Sequence, residues 1–332
     1  MLEHGGRLRA AAQQFEIPLA DWIDLSTGIN PNGYPVPPLD PACWQRLPED
    51  NDGLEAAAAA YYGNDRLLAL PGSQAAIQLL PALFSPVAVA CLAPIYEEHP
   101  QAWARAGHRL RRLPSLQRAL AAATPNLLLC NPNNPTAAVL PQRALLDAAA
   151  QLQRRGGWLI VDEAFADVDP DNCVAPLAGS AQAPNLIVLR SLGKFFGLAG
   201  ARVGFIFGAA EKLDRLREAL GPWPLSGPAR AVARHALADH VWQTQARHDL
   251  DAAARRLAAL LAPLGDVRRT ALFCSVAPAD TASAVPLFEH FARRAILLRC
   301  FETHGLLRVG LPGDEAEWRR LAAAINEWTP PC

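Results

Sequence analysis

Short apolar runs alternate with longer amphipathic segments up to about residue 213. Five continuous apolar runs have the length of strands and lie at residues 87–92, 127–130, 158–161, 186–189 and 203–207. Segments with helical spacing or many alanines come before and between them, at residues 54–62, 74–83, 97–106 and 143–154. Continuously apolar strands that alternate with helices are buried on both faces. The pattern therefore predicts an α/β fold, with a mostly parallel central sheet and helices on both of its faces.

The pattern changes after residue 213. A long helical region comes next, and then three short apolar runs and a closing helix, at residues 228–261, 272–276, 296–299, 306–311 and 315–328. Short strands mixed with helices predict a smaller α+β domain. We therefore expect three parts: an N-terminal arm at 1–40 that contributes to the active site and the small domain, a large domain at 41–213, and a small C-terminal domain at 214–332.

Composition narrows the functional classes. Of the 332 residues, 51% are hydrophobic and 19% are charged, and the formal net charge is -1, which fits a globular enzyme. The charge balance argues against nucleic-acid binding, and the densest basic run, residues 109–112, is typical of a solvated face. No apolar run has membrane-spanning length, and the first residues do not have the pattern of a signal peptide.

The seven cysteines are odd in number and scattered, and no two are spaced as Cys-x-x-Cys. Such cysteines are typical of a reducing compartment, so we expect a cytoplasmic protein, and we expect no metal. Cys91 and Cys130 fall inside predicted strands, where they are expected to pack as small hydrophobic residues.

A lysine-containing turn carries the most specific chemical signal. Residues 191–194 (Ser-Leu-Gly-Lys) directly follow the apolar run at 186–189, and Arg202 comes eight residues after Lys194. A lysine among Gly, Phe, Leu and Ala has few solvated neighbours, and a neutral amine can form a Schiff base. The Ser191 hydroxyl and the Arg202 guanidinium are suited to gripping a phosphate. Together they indicate a covalently held phosphorylated aldehyde, pyridoxal phosphate (PLP), while the alternative is an ordinary surface lysine in a loop.

Four other motifs fall where the carboxyl ends of the strands should lie, the edge at which open α/β sheets bind ligands. Ser73 and Gln74 open a helix whose backbone amides suit a phosphate, although Ser73 can also be a simple helix cap. Asn134 lies in a rigid loop with two Asn-Pro pairs, which turn chemistry alone would also explain. Asp162 can pair with a protonated pyridine nitrogen or cap a helix. Tyr96 can stack on an aromatic ring or merely pack.

In this order, the motifs closely resemble the fold-type I PLP enzymes of the aminotransferase superfamily, over nearly the whole chain. Within it, residues 4–6 (His-Gly-Gly) and 24–31 (Asp-Leu-Ser-Thr-Gly-Ile-Asn-Pro) are similar to the threonine-phosphate decarboxylases of cobalamin biosynthesis. The resemblance implies that Lys194 binds the cofactor aldehyde and that Asp162 pairs with its ring nitrogen. The other implied cofactor residues are Ser73, Gln74, Tyr96, Asn134, Ser191 and Arg202. The implied substrate residues are His4, Gly5, Asn134, Arg299 and Arg308.

Five positions depart from the family pattern. Gly193 stands where relatives often carry Ser or Thr, and Leu47 replaces a tyrosine that many relatives lend to the neighbouring subunit. Phe165 occupies a position that is tyrosine in many aminotransferases. Gly28 sits where some decarboxylases place a substrate-binding asparagine, and Ala137 stands where glycine is usual. None of these positions is the lysine, the aspartate or an arginine of the implied site.

The resemblance implies decarboxylation of O-phospho-L-threonine to 1-amino-2-propanol phosphate by a PLP-dependent homodimer. An arginine on a strand edge is usually a solvated residue, but Arg299 and Arg308, each ending an apolar run, suit a doubly anionic substrate. The alternative is that the enzyme is a histidinol-phosphate aminotransferase. Residues 4–6 and Phe165 argue against this alternative. A PLP-sensing module of a transcription regulator would need a helix-turn-helix domain and a basic face, for which the sequence gives no indication.

Overall fold

The computed structural model of the protein describes residues 4–329. Over this range the chain forms thirteen strands: β1 (Ile23–Asp24), β2 (Leu67–Leu70), β3 (Ala88–Leu92), β4 (Arg109–Leu113), β5 (Asn126–Cys130), β6 (Trp158–Asp162), β7 (Leu186–Ser191), β8 (Gly204–Phe207), β9 (Asp266–Arg269), β10 (Phe273–Ala277), β11 (Ile296–Leu297), β12 (Arg299–Phe301) and β13 (Leu306–Gly310). All five predicted apolar runs coincide with strands to within two residues at each end.

The same residues form twelve α-helices: α1 (Leu8–Phe15), α2 (Ala42–Gln45), α3 (Leu54–Tyr62), α4 (Ser73–Leu79), α5 (Glu98–Arg105), α6 (Leu116–Ala121), α7 (Gln142–Gln153), α8 (Ala210–Leu220), α9 (Gly227–Ala238), α10 (His240–Leu261), α11 (Ala284–Ala292) and α12 (Glu315–Asn326). The break predicted near Asp239 separates α9 from α10, since Asp239 lies outside helical geometry and its Oδ1 accepts from the backbone of Trp242 at 2.9 Å.

The chain divides into two compact units. The larger is built from Gly33–Asn134 and Val139–Thr244. The smaller combines the residues up to Asn32, the short piece Pro135–Ala138 and the residues from Gln245 onward. The three-part division expected from sequence stays a prediction.

The larger unit contains a seven-stranded sheet with the order β2-β8-β7-β6-β5-β3-β4. Strands β4, β3, β5, β6 and β7 run parallel to one another, and β8 runs antiparallel to both of its neighbours, β7 and β2. Leu127, Leu159 and Val188 on the central strands are completely buried. The predicted mostly parallel central sheet is therefore confirmed.

The basic run at 109–112 forms the edge strand β4, which sequence analysis took only for a solvated face. Arg109, Arg111 and Arg112 are exposed there. Charged side chains of this kind discourage a sheet edge from pairing with another chain. Because the solvated face of an edge strand has no apolar signal, composition alone could not show that the run is a strand.

The smaller unit has two small sheets. Strands β1 and β11 pair in parallel, and β12, β13, β10 and β9 form an antiparallel sheet in that order. Ala11, Trp22 and Leu297 belong to a small buried cluster that joins α1 to this pair of strands. The predicted C-terminal α+β texture is confirmed, with β9 as a further edge strand that sequence analysis did not predict.

Within residues 4–329, no helix is both long and apolar enough to cross a membrane. Cys91 and Cys130 are buried in β3 and β5, as expected. Burial raises the pKa of the Cys91 thiol to about 11.

Candidate active site

Four predicted site residues lie at one edge of the seven-stranded sheet. Tyr96 follows β3, Asn134 follows β5, Asp162 ends β6 and Ser191 ends β7. Because these strands are parallel, their carboxyl ends meet at the same edge. Strand order reverses between β3 and β5, since β4 lies on the far side of β3, and such a reversal marks the ligand-binding crevice of an open α/β sheet.

The strand pairing brings two further site residues, Arg202 and Ser73, to this edge. Strand β8 runs against β7, and its first residue, Gly204, lies opposite both Ser191 and Leu70. Arg202, two residues before the start of β8, and Ser73, three residues after the end of β2, therefore lie at the same edge of the sheet as Ser191. A Cβ on Gly204 would lie 2.5 Å from the Ser73 backbone nitrogen, so this close approach requires glycine.

The Arg202 guanidinium lies against the backbone of Gly72. A Cβ on Gly72 would come within 2.5 Å of Arg202 Nη2, and Gly72 has a positive φ of 75°. Arg202 itself has φ 56° and is exposed, with Nη1 donating to the Ala199 carbonyl at 3.2 Å. A cation against a glycine backbone, with Ser73 and Ser191 at the same edge of the sheet, forms a cradle suited to a phosphate.

Lys194 lies in a closed turn directly after β7. The Gly197 amide donates to the Lys194 carbonyl at 3.1 Å, and the Gly193 amide donates to Ser191 Oγ at 3.3 Å. Lys194 is half-buried, and its Nζ lies 5.3 Å from the centre of the Phe165 ring. Phe165 therefore lines one side of the amine, at the position where many aminotransferases have tyrosine.

The two phenylalanines after Lys194 anchor the turn. Phe195 and Phe196 are completely buried, and the Phe196 ring stacks on Trp242 with centroids 5.6 Å apart and planes 17° apart. The Phe196 carbonyl accepts from the Tyr34 amide at 2.8 Å. The lysine turn is thus held on its apolar side by residues far away in the sequence.

Asp162 is buried and hydrogen-bonded on both oxygens. Its Oδ2 lies 2.7 Å from His99 Nε2, and its Oδ1 accepts from the Ala164 amide at 3.0 Å. His99 is 1% exposed, on α5. Sequence analysis missed His99, because the partner of a buried histidine depends on a residue 63 positions away. The only local signal was its place three residues after Tyr96, at the start of a helix.

His99, Asp162 and Cys130 have ligand atoms within 4.8 Å of one another, a spacing that a metal ion could bridge. Burial raises the pKa of the Cys130 thiol well above its usual value, and a metal-binding cysteine must be a thiolate. The short hydrogen bond from the histidine also occupies the carboxylate. In this cluster the buried histidine holds Asp162 in place.

A second buried charge cluster lies one residue away from the site. Arg190, next to Ser191, donates to Glu163 Oε2 at 2.9 Å and to Asp167 Oδ1 at 2.7 Å, and its guanidinium lies over the Tyr62 ring at 4.8 Å. Burial raises the pKa of Glu163, which directly follows Asp162. The pair Arg190–Glu163 therefore ties the end of β7 to the end of β6. Sequence analysis missed it.

Gln74 and Tyr96 contact each other across the edge. The Tyr96 hydroxyl donates to Gln74 Oε1 at 3.5 Å, and Gln74 Nε2 donates to Glu98 Oε2 at 3.0 Å. The Gln74 side chain is therefore engaged by α5, which leaves its backbone amide, in the first turn of α4, for the predicted phosphate contact.

The loop after β5 is braced by its other asparagines. Asn131 exchanges two hydrogen bonds with the backbone of Leu140, at 3.0 and 2.8 Å, and Asn133 Nδ2 donates to the Pro94 carbonyl at 3.0 Å. Asn134, the predicted cofactor and substrate residue, is half-buried at the end of this braced segment. Farther along the chain, Ala137 has φ 58°, which explains why glycine is usual at that position.

In the smaller unit, Arg299 and Arg308 face each other directly on the antiparallel strands β12 and β13. Their guanidinium carbons lie 5.1 and 6.0 Å from the centre of the same ring, that of Phe301. Like charges directly opposite each other on adjacent strands repel, so this pairing costs stability by itself. A doubly charged anion would relieve the repulsion, which supports the predicted substrate role.

The N-terminal residues His4 and Gly5 lie in the same unit, and Gly5 packs against Ser26. A Cβ on Gly5 would overlap the Ser26 carbonyl oxygen, and the Gly6 amide donates to Ser26 Oγ at 2.7 Å. His4 is exposed at the start of this segment. The Ser26 carbonyl also accepts from Arg308 Nη2 at 2.6 Å, so one residue contacts both predicted parts of the substrate site.

The residues of the larger unit fit pyridoxal phosphate. They offer an amine for the aldehyde, a buried carboxylate for a protonated ring nitrogen and an aromatic ring beside it (Lys194, Asp162 and Tyr96). They also offer a phosphate cradle in which Gly72 and Gly204 leave no room for a side chain. The chain has only two lysines, and the other, Lys212, packs on the rings of Phe84 and Trp158 from α8.

Comparison with known proteins agrees with this arrangement. Residues 47–325 match the family described as aminotransferase class I and II. The chain is 50% identical to threonine-phosphate decarboxylase of Pseudomonas aeruginosa over 100% of its own length and 99% of the relative's. It is 41% identical to threonine-phosphate decarboxylase of a Sinorhizobium species, over 97% of both chains.

Solved structures share the fold at lower identity. Histidinol-phosphate aminotransferase from Sinorhizobium meliloti, in complex with pyridoxal-5'-phosphate, superimposes with a TM-score of 0.81 at 22% identity, over 98% of both chains. L-threonine-O-3-phosphate decarboxylase from Porphyromonas gingivalis gives a TM-score of 0.74 at 17% identity, over 91% of this chain and 98% of the other.

Proposed function

Because the chain belongs to the aminotransferase class I and II family and, within it, to the threonine-phosphate decarboxylases, we propose that it decarboxylates O-phospho-L-threonine with pyridoxal phosphate as cofactor. The product is (R)-1-amino-2-propanol O-2-phosphate, which becomes the linker of the cobalamin nucleotide loop. The observation that carries this proposal is the extent of the similarity. It includes residues 1–46, which the aminotransferase family does not match and which contain His4 and Gly5.

Bound pyridoxal phosphate withdraws electrons from the substrate's Cα, so that a bond to that carbon can break. Asp162, held on both oxygens by His99 and the Ala164 amide, would keep a proton on the ring nitrogen. Ser73, Gln74, Ser191 and Arg202 would hold the cofactor phosphate. Tyr96 would hold the ring, and Asn134 its phenolic oxygen.

Lys194 has two tasks in this proposal. Its amine would hold the cofactor aldehyde between turnovers. Once displaced by the substrate amine, it would carry the proton that the substrate's ammonium group gives up, and as an ammonium it would donate that proton to Cα after carbon dioxide has left. Phe165, 5.3 Å from the amine, keeps water from that side and offers no competing hydroxyl.

The substrate residues decide which bond breaks. Only the Cα bond that stands perpendicular to the cofactor ring is weakened, so a decarboxylase must hold the carboxylate in that direction. Arg299 and Arg308 grip the anionic groups, and His4, Gly5 and Asn134 complete the substrate contacts. Fixing the distant phosphate in this way orients the scissile bond.

The test is incubation of the holoenzyme with O-phospho-L-threonine, with and without a 2-oxo acid. We expect carbon dioxide and aminopropanol phosphate in many turnovers without the 2-oxo acid. An absolute need for the 2-oxo acid, with no carbon dioxide, would instead identify an aminotransferase of the histidinol-phosphate type.

We further propose that the enzyme is a cytoplasmic homodimer. Val36, Trp44 and Leu47 are 57%, 71% and 65% exposed, all within the segment 33–48, in which α2 is a single helical turn. Apolar side chains grouped in this way favour a covered surface, and a second copy of the chain is the occupant we propose. Sedimentation of wild type against a Trp44→Glu/Leu47→Glu variant tests this. A wild-type protein that is fully active as a monomer would refute it.

A further inference from the structure

Residues 24–31 carry part of the family resemblance, but the roles proposed above leave Asp24 and Ser26 unused. Asp24 ends strand β1, and Ser26 is 1% exposed two residues later. A single carboxylate oxygen, Asp24 Oδ1, accepts from both the amide and the hydroxyl of Ser26, at 2.9 and 2.5 Å. The only proton of the Ser26 hydroxyl is therefore committed to Asp24.

A committed hydroxyl can only accept from its other neighbours. Ser26 Oγ accepts from the Gly6 amide at 2.7 Å, and Gly5 packs against the Ser26 carbonyl so closely that no Cβ would fit. Asp24 thus orients the Ser26 hydroxyl so that its oxygen accepts from Gly6, in the segment that begins with His4. Without the carboxylate, the hydroxyl could rotate and its proton could point at the Gly6 N–H.

The backbone of the same residue holds an arginine. Arg308 Nη2 donates to the Ser26 carbonyl at 2.6 Å, and Arg308 is 7% exposed. Strand β13 is fixed next to it, because the Gly310 amide donates to the Leu25 carbonyl at 2.7 Å and a Cβ on Gly310 would overlap the Thr27 carbonyl. The segment 24–27 therefore contacts both the N-terminal residues and the arginine strand.

We propose that Ser26, oriented by Asp24, is a positioning residue that places His4 and Arg308 for recognition of the substrate phosphate. This inference rests on the proposed function, in which both residues bind the phosphorylated substrate. It adds that the preference for a phosphorylated amine depends on Ser26, which touches neither cofactor nor substrate.

The experiment uses the holoenzyme and two amines that carry no carboxylate, O-phosphoethanolamine and ethanolamine. Titration of the cofactor absorbance gives the dissociation constant of each amine. The dissociation constant of ethanolamine divided by that of O-phosphoethanolamine measures phosphate recognition without decarboxylation. We expect Ser26→Ala to lower this ratio about five- to tenfold, the effect of one lost hydrogen bond. Asp24→Ala should lower it similarly, whereas Asp24→Asn should retain most of it, since an amide oxygen can accept both bonds.

The control is Thr270→Ala. Thr270 is also buried, and its hydroxyl accepts from the amides of Leu272 and Phe273 in the turn between β9 and β10 of the same unit. This variant should leave the ratio unchanged even if it lowers stability. Amide hydrogen exchange of residues 4–7 should accelerate in Ser26→Ala and stay slow in Thr270→Ala, which reports positioning independently of binding.

A double variant sharpens the test. If Ser26 acts through His4, adding Ser26→Ala to His4→Ala should change the ratio by less than the single Ser26→Ala change. A ratio that stays at the wild-type value in folded Ser26→Ala would overturn the inference, as would unchanged exchange of residues 4–7. A wild-type enzyme that binds O-phosphoethanolamine but releases no carbon dioxide from O-phosphothreonine would refute only the proposed decarboxylation.

Discussion

The two units position their candidate residues by different means. In the larger unit, the predicted cofactor residues lie at or shortly after the ends of buried strands, and strand pairing sets the level of these ends: Ser191 and Leu70 both lie opposite Gly204. In the smaller unit, Arg308 and Gly6, two residues after His4, are held by hydrogen bonds to one serine in an irregular segment. A site built on a parallel sheet is therefore preorganised by the fold, whereas the substrate contacts depend on a few individual side chains.

The largest effect should come from the buried carboxylate of the larger unit. Asp162→Asn removes the charge that keeps a proton on the cofactor ring, so we expect kcat/KM for O-phosphothreonine to fall by about 10³- to 10⁴-fold. His99→Gln, which can still donate to Asp162 Oδ2, should cost far less, about tenfold. Steady-state assays check both. An Asp162→Asn enzyme within tenfold of wild type would remove Asp162 from the mechanism.

The buried cluster behind the strand ends should matter for folding. Arg190→Met leaves Glu163 and Asp167 buried without their cation, so we expect the free energy of unfolding to fall by about 3–5 kcal/mol. Arg217→Met, which breaks an exposed pair with Asp214, is the matched control and should change it by less than about 1 kcal/mol. Urea titration measures both. Equal stabilities of the two variants would show that the cluster does not hold the strands together.

Changes in the smaller unit should affect substrate and leave the cofactor alone. Arg308→Lys or Arg299→Lys keeps the charge but loses the planar fork, so we expect KM for O-phosphothreonine to rise about 10- to 100-fold. Cofactor affinity should not change. Arg256→Lys, at a surface pair with Glu315 in the same unit, is the control. If the arginine variants bind the cofactor more weakly instead, the smaller unit does not act on the substrate alone.

A smaller effect concerns the pH dependence of stability in the larger unit. Burial alone would raise the pKa of Asp52, but its hydrogen bonds with Arg230, at 2.9 and 2.7 Å, and the charge of that arginine lower it. A lowered pKa means that the stabilisation is present above the pKa of the unfolded chain and is lost as the pH falls below about 4.

Because Asp52 is partly exposed, this contribution should be about 1 kcal/mol. Thermal unfolding between pH 7 and pH 3 checks it. Wild type should lose stability more steeply toward low pH than Asp52→Asn. Parallel curves would show that the Asp52–Arg230 pair contributes nothing to the stability of this unit.

The sequence predicted the parts of the site that belong to the sheet. Buried parallel strands read as apolar runs, so the position of Asp162 and Lys194 directly after such runs was enough to place both residues at one edge. Tertiary hydrogen bonds have no such pattern. His99 and Arg190 are polar residues inside a helix and a strand. The partner of His99 lies 63 positions away in the sequence, and the two partners of Arg190 lie 27 and 23 positions away.

The smaller unit was harder to predict for the same reason. Arg299 and Arg308 came from resemblance, and their direct opposition depends on the β12–β13 register, which short strands do not specify. Ser26 belongs to the motif at residues 24–31, yet its contacts with Gly6 and Arg308 span 20 and 282 positions. What holds the substrate residues is therefore visible only in the folded protein.

The most direct measurement of the central claim, that the larger unit builds a cofactor site around one lysine, uses the scarcity of lysine in this chain. Borohydride reduction of the holoenzyme should fix the cofactor covalently, and mass spectrometry of its peptides should find the adduct on Lys194. Lys212, which pairs with Glu211 at 3.7 Å and packs on two aromatic rings, should remain unmodified, and Lys194→Ala should give no adduct. An adduct on Lys212 in the wild-type protein, or a reducible cofactor that persists in Lys194→Ala, would contradict it.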